Sequence, residues 1–153
     1  MKLTLEGIKH KQVWNRAGIG LPSYDLETLA QRTTEAPVWV HFGIGNIFRI
    51  FIGSIADRLI TDGLMDRGIV CVETFDYETI DRIYKPYDNL CLSVILHNDG
   101  STEKRVFGCF TEALKGLPDE TNDRRRLKEF FAKSQPSDGL LYNHGKGLCA
   151  ARC

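Results

Sequence analysis

The sequence predicts an α/β protein on a mostly parallel, doubly wound sheet, and three observations predict it. Two short apolar runs, VWVHF (38–42) and IVCVE (69–73), have the β-branched and aromatic content of strands. The second is apolar up to its last residue, which suits a strand covered on both faces. Between them, Ile47, Ile50, Phe51, Ser54, Ile55, Arg58 and Leu59 recur at three- and four-residue steps, the period of a helix. Gly43 and Gly45 stand where the first run gives way to that helix.

The other elements follow in chain order. Residues 1–36 are mixed, with a turn-rich GIGLPSYD and a short helix capped by Asp25 that carries Leu26 and Leu29 on one side. Pro37 ends that helix. Gly63 stops the central helix, and LMDRG leads into IVCVE. DYETIDRIYKPYD reads as a short helix ended by Pro86. LCLSVILHNDGSTEKRVFGCF reads as a hairpin or a pair of adjacent strands, because Asn98-Asp99-Gly100 is a strong turn signal. TNDRRRLKEFFAK is a polar-to-amphipathic helix. The expected order is β-α-β-α-β-β-α, without internal repeats.

A chain of 153 residues is long enough for one domain with a real core. Twenty basic and twenty acidic side chains cancel, so neither nucleic acid nor a membrane surface is an expected partner. No apolar run spans a bilayer, and the N-terminus lacks the apolar stretch of a secretory signal. Cys71, Cys91 and Cys109 sit in apolar runs and read as buried thiols, while Cys149 and Cys153 crowd the C-terminus. Without a C-x-x-C pair, reduced thiols in a cytoplasmic protein are expected. The acids and tyrosines of 76–87 lack metal-ligand spacing, and no metal is assigned. Arg124, Arg125 and Arg126, beside Asp119, Glu120 and Asp123, read as a solvated helix start. His41 reads as a packed or backbone-bonded residue at a strand end, and Trp14 and Trp39 as core or interface aromatics.

The glycines admit a chemical reading. A helix N-terminus exposes unpaired N–H groups and partial positive charge, which suits a diphosphate. Gly43 allows the sharp turn off the strand, and Gly45 the close approach of main chain to ligand, with Ile44 between them and Asn46 opening the helix. Arg49 is placed to fold a planar fork onto phosphate. Glu73 closes the next strand, where the ribose hydroxyls of an adenine dinucleotide lie, and Asp76 is its rival. The pattern departs from G-x-G-x-x-G at Phe48. A strand–turn–helix that binds nothing is the alternative.

HFGIGNIFRIFIG resembles the N-terminal signature of the mannitol dehydrogenase family, the long-chain polyol and hexuronate dehydrogenases. Its G-x-G-N-x-x-R core falls on Gly43, Gly45, Asn46 and Arg49, and Phe51, Ile52 and Gly53 extend the likeness, which covers about Val38 to Leu114. The resemblance implies an N-terminal Rossmann-type NAD(P) domain and a mostly helical C-terminal domain that carries a catalytic lysine with asparagine and histidine helpers. No stretch here matches the family's K-x-x-x-x-N-x-x-H pattern, although Lys146 follows His144. Cofactor positions are therefore carried over and no catalytic residue is.

The expected organisation is an extension over 1–36, an incomplete Rossmann-type NAD(P)-binding domain over 37–133 and an aberrant tail over 134–153. Codons available for Gln135–Cys153 permit, one base out of frame, a strand-like string similar to the segment the family carries there. The tail is accordingly read as a frameshift product, with a genuine tail as the alternative. The expected cofactor is NAD rather than NADP, because an acid at the ribose meets a 2′-phosphate with like charge. A sugar alcohol or hexuronate is the expected substrate only in a full-length enzyme. A non-catalytic nucleotide-binding module is the second reading.

Overall fold

The computed structural model describes residues 1–117 and 121–133, and the backbone of 140–143. Its helices are Leu5–Ile8 (α1), Lys11–Arg16 (α2), Leu26–Glu35 (α3), Gly53–Thr61 (α4) and Asn122–Lys133 (α5). Its strands are Ile19–Gly20 (β1), Trp39–Phe42 (β2), Ile69–Glu73 (β3), Cys91–Leu96 (β4), Thr102–Phe107 (β5), Phe110–Lys115 (β6) and Leu140–Asn143 (β7). A π-helical turn, Phe48–Ile52, leads into α4, and another, Ile80–Tyr84, continues as a 3₁₀ turn over Lys85–Tyr87.

β2, β3, β6 and β7 form one all-parallel sheet in the order β6-β3-β2-β7. The chain steps outward from β2 through β3 to β6, then returns to the other side of β2. In order of appearance this is 3-2-1-4, the start of a Rossmann sheet, and the order reverses between β2 and β7.

Strand period 2 explains why β3 is buried throughout. Ile69 and Cys71 enter a layer with Ile44, Phe48, Ile60 and Tyr84, while Val70 and Val72 enter a second layer with Val40, Leu114 and the α5 residue Phe130. A sheet covered on both faces is what its continuous apolar run demanded.

β4 and β5 form the expected antiparallel hairpin, turned through Gly100 with φ of 82°. The hairpin belongs to a second sheet of order β1-β5-β4. There Ile8, Trp14 and Ile19 pack on Leu90 and Val106, so residues from 1–36 share a core with the hairpin.

The structure corrects two expectations. VFGCF does not end a two-strand unit: β5 stops at Phe107, Gly108 and Cys109 turn the chain, and Phe110 opens β6, a further strand. Pro86 does not end its helix, because it falls at the start of a 3₁₀ turn where no N–H is required. Asp88 and Asn89, with φ of 50° and 60°, end it instead. In the tail, read above as aberrant, one stretch joins the parallel sheet. Leu140–Asn143 pairs along β2, from Trp39↔Leu140 to Phe42↔Asn143. Backbone hydrogen bonding along an open edge does not depend on a side-chain period. The rest of 134–153 lies outside the described residues. Among those described, no helix is long and apolar enough to cross a membrane.

A buried polar knot joins the two sheets. Asp57 on α4 is 1% exposed. Its carboxylate accepts from the Tyr24 hydroxyl at 2.5 Å and pairs with Arg105 of β5 at 2.8 Å, while the Gly108 N–H donates to the Tyr24 oxygen at 3.2 Å. Removing Asp57 takes from the half-buried Tyr24 hydroxyl its acceptor and from Arg105 its carboxylate partner, in a site the Asp57 side chain fills. Asp57→Ala is expected to lower stability by roughly 3 kcal/mol, read from the urea midpoint. Asp57→Asn, which keeps an acceptor for Tyr24, should lose less.

Burial, and then neighbouring charge, pushes the phenols of Tyr24 and Tyr84 and the thiols of Cys71 and Cys109 well above their ordinary values. The unfolded chain releases these protons near 10 for tyrosine and 9 for cysteine, while the folded chain retains them. The unfolded state therefore holds fewer protons in alkali, and stability falls as pH rises. From neutral pH to about 9 these groups should leave the melting temperature flat, and above about 9 it should decline steadily.

Candidate functional site

β2 carries His41 and Phe42 to the carboxyl edge of the parallel sheet, next to the point where strand order reverses. Gly43 continues the ladder for one residue, its N–H donating to the Val72 carbonyl at 2.9 Å. It then turns with φ of 83°, the left-handed region where a Cβ is strained.

Gly45 is a different case. Its φ lies outside the left-handed region, and a Cβ built on it meets no atom within 4 Å. Neither backbone conformation nor internal packing requires glycine there. The open space before its main chain is what the close approach of a ligand needs.

The chain between the glycines is anchored. Ile44 is fully buried, its N–H donates to Glu73 Oε2 at 3.4 Å and its carbonyl accepts from the Tyr84 hydroxyl at 2.9 Å. The helix begins at Asn46, and the Arg49 N–H donates to the Gly45 carbonyl at 3.1 Å. The amides of a first helical turn lack intrahelical partners and carry partial positive charge.

Arg49 donates through Nη2 to Asn46 Oδ1 and stands 6.0 Å from the centre of the Tyr84 ring. Its Nη1 is buried and makes no hydrogen bond. A buried donor without an acceptor is uncommon in folded chains, and a phosphate oxygen would satisfy it. A cavity of about 520 Å³ lies at the corner, lined by His41, Gly43, Gly45, Asn46, Phe48 and Phe51 among others. Open glycine and first-turn amides at that cavity, with the Arg49 donor beside Asn46, have the chemistry to hold an anionic group.

The two acids expected at the ribose part company. Glu73 is 8% exposed. Its Oε1 accepts the N–H groups of Thr74 and Phe75 at 2.9 and 3.0 Å, while Oε2 makes only the long contact to Ile44 named above. It therefore stands against the glycine corner with an oxygen to spare. Asp76 is exposed and caps the next helical turn, where its side chain accepts from the Thr79 hydroxyl at 2.9 Å and its carbonyl from the Thr79 N–H.

Phe48 replaces the third glycine of the usual pattern. It is buried, stacked on His41 with ring centroids 4.1 Å apart and 5.1 Å from Phe110. Close helix–sheet packing is displaced to Gly53, where a Cβ would lie 2.6 Å from a Phe110 ring atom. Tyr84 is the residue that sequence reasoning missed. It bonds a residue 40 positions earlier, and nothing local announces such a partner. Among the described residues no group of three histidine, cysteine or acidic side chains is placed to hold a metal ion.

No family model matches the sequence. The D-mannonate oxidoreductase of Thermotoga maritima is 46% identical over 131 residues, which cover 86% of this chain and 24% of that protein. The chain thus spans about a quarter of its curated relative's length. A D-sorbitol dehydrogenase in substrate-free form is 25% identical, with a TM-score of 0.56 over 67% of this chain and 20% of its own. A Pseudomonas fluorescens mannitol 2-dehydrogenase, in ternary complex with NAD and D-mannitol, shares the fold at a TM-score of 0.69 and 22% identity, over 94% of this chain and 26% of its own.

The two glycines should respond differently to a single methyl group. Gly43→Ala is expected to lower stability by about 1–2 kcal/mol through left-handed strain. Gly45→Ala should leave it unchanged or raise it by up to about 1 kcal/mol, by restricting the unfolded chain. Denaturant midpoints of the two variants measure the difference.

Proposed function

We propose that this chain, which belongs to the mannitol dehydrogenase family, is the N-terminal domain of such a protein and that its glycine corner binds the diphosphate of a nicotinamide dinucleotide. The observation that carries this reading is the open face of Gly45, a glycine the protein does not need for itself. Its place beside the reversal of strand order, where open α/β sheets bind their ligands, supports the same reading. So does the NAD in the ternary complex of the mannitol 2-dehydrogenase that shares the fold.

The amides of 45–47 and the Arg49 fork hold the diphosphate. Asn46 orients that fork through its side-chain oxygen. Glu73, rather than Asp76, takes the adenosine ribose, since it is the acid that touches the corner. A carboxylate there favours NAD over NADP, because a ribose 2′-phosphate would meet like charge.

The dinucleotide-binding unit is centred on 37–133, with residues of 1–36 packed on its hairpin and Leu140–Asn143 of the 134–153 tail adding β7 to its sheet. In a whole protein of the family, the bound dinucleotide supplies hydride exchange with a hydroxyl or carbonyl of a sugar alcohol or sugar acid. The D-mannonate oxidoreductase, 46% identical over the shared part, favours a sugar acid such as D-mannonate. This chain contributes binding and orientation, and no catalytic group is assigned to it. Free Cys71, Cys91 and Cys109 fit a cytoplasmic setting.

Fluorescence titration with NADH tests the proposal. A saturable signal is expected, weaker with NADPH. Gly45→Val should reduce affinity at least about tenfold while the circular dichroism spectrum is retained, since its side chain fills the space the diphosphate needs. Unsaturable binding, or a folded Gly45→Val chain that binds as well as the parent, would sink it.

A further inference from the structure

The turn between β2 and its helix contains two glycines, the residues with the greatest backbone freedom, yet the residue between them is held from three sides. The Ile44 side chain is fully buried in the core, its N–H reaches Glu73 and its carbonyl accepts the Tyr84 hydroxyl at 2.9 Å. Tyr84 lies in the helical turn that follows β3 and is 2% exposed. Its ring stands edge-on to Phe110 at 6.1 Å, with the Arg49 guanidinium over its face. One side chain thus touches both halves of the diphosphate cradle: the main chain through its hydroxyl, and the arginine through its ring.

From this we infer that Tyr84 is a positioning residue for the dinucleotide, setting the glycine corner and holding Arg49 beside it before the ligand arrives. The inference rests on reading the corner as a diphosphate site. A cradle ordered in advance binds more tightly because no conformational freedom remains to be lost on binding. Two glycines left to themselves would lose a great deal. The hydroxyl of Tyr84 and the carboxylate of Glu73, acting on the carbonyl and the amide of one residue, remove that freedom during folding.

Tyr84→Phe keeps the ring, with its Phe110 and Arg49 contacts, and deletes only the hydroxyl. Affinity for NADH and ADP-ribose should weaken about fivefold, the worth of one ordinary hydrogen bond. Affinity for adenosine, which has no diphosphate, should change less than twofold. Amide hydrogen exchange should quicken at Gly43 and Ile44 and stay unchanged in β3. A tyrosine that merely packs would alter thermal stability and leave the ratio of ADP-ribose to adenosine affinity where it was. Unchanged affinities in the variant, or a loss shared equally by adenosine, overturn the inference while leaving the dinucleotide reading intact. If the parent chain binds neither NADH nor ADP-ribose, that reading falls and takes the inference with it. Should Tyr84→Phe not fold, exchange in the ligand-free parent decides. The hydrogen-bonded amides of Gly43 and Ile44, as protected as those of β3, uphold a preset corner, and free-loop rates at these two refute it.

Discussion

The parallel ladder between β2 and β3 is the constraint on which the rest of the molecule depends. It brings Val40, His41 and Phe42 into register with Val70, Cys71 and Val72, so both strands end at the same edge of the sheet. The Gly43 N–H extends the pairing by one bond to Val72. Only because the two ends are level does Glu73 reach the backbone of Ile44. A register slip would separate the corner from its acid and exchange the side chains that the slipped strand sends into the two layers. The two-layer core makes such a slip costly, since Val70 and Val72 fill one layer and Ile69 and Cys71 the other.

The glycines of the corner divide a task. Gly43 answers to the protein itself, whose chain must leave the strand through a conformation that side chains resist. Gly45 answers to nothing inside the protein. The usual third glycine is absent because Phe48 fills its place against His41, and the helix approaches the sheet closely only later, at Gly53. A departure from the sequence pattern is thus a redistribution of packing that leaves the face of Gly45 open.

The second sheet and the N-terminal helices form a support. Trp14 and Ile19 close over Val106 and Leu90, and the Asp57–Arg105–Tyr24 knot fastens α4 to the hairpin. α4 is the continuation of the helix that starts at the corner, so its anchoring is also the anchoring of that helix. Through contacts of this kind, residues far from the cavity hold its shape.

What the sequence determined by itself is local. β2, β3, the helix between them and the β4–β5 turn were legible because period, β-branching and glycine act over a few residues. The glycine corner was legible for the same reason, as were Asn46 and Arg49, one turn apart on a helix. The tertiary structure alone decided the rest. It separated β6 from β5 at Gly108, joined 1–36 to the hairpin, put Glu73 against the corner and Asp76 on a helix cap, and brought Tyr84 to Ile44 across 40 residues. Which of two nearby carboxylates meets a turn, or which hydroxyl meets a carbonyl, depends on how strands align and layers stack. Sequence spacing carries no record of that, because the same residues satisfy their local preferences in either arrangement.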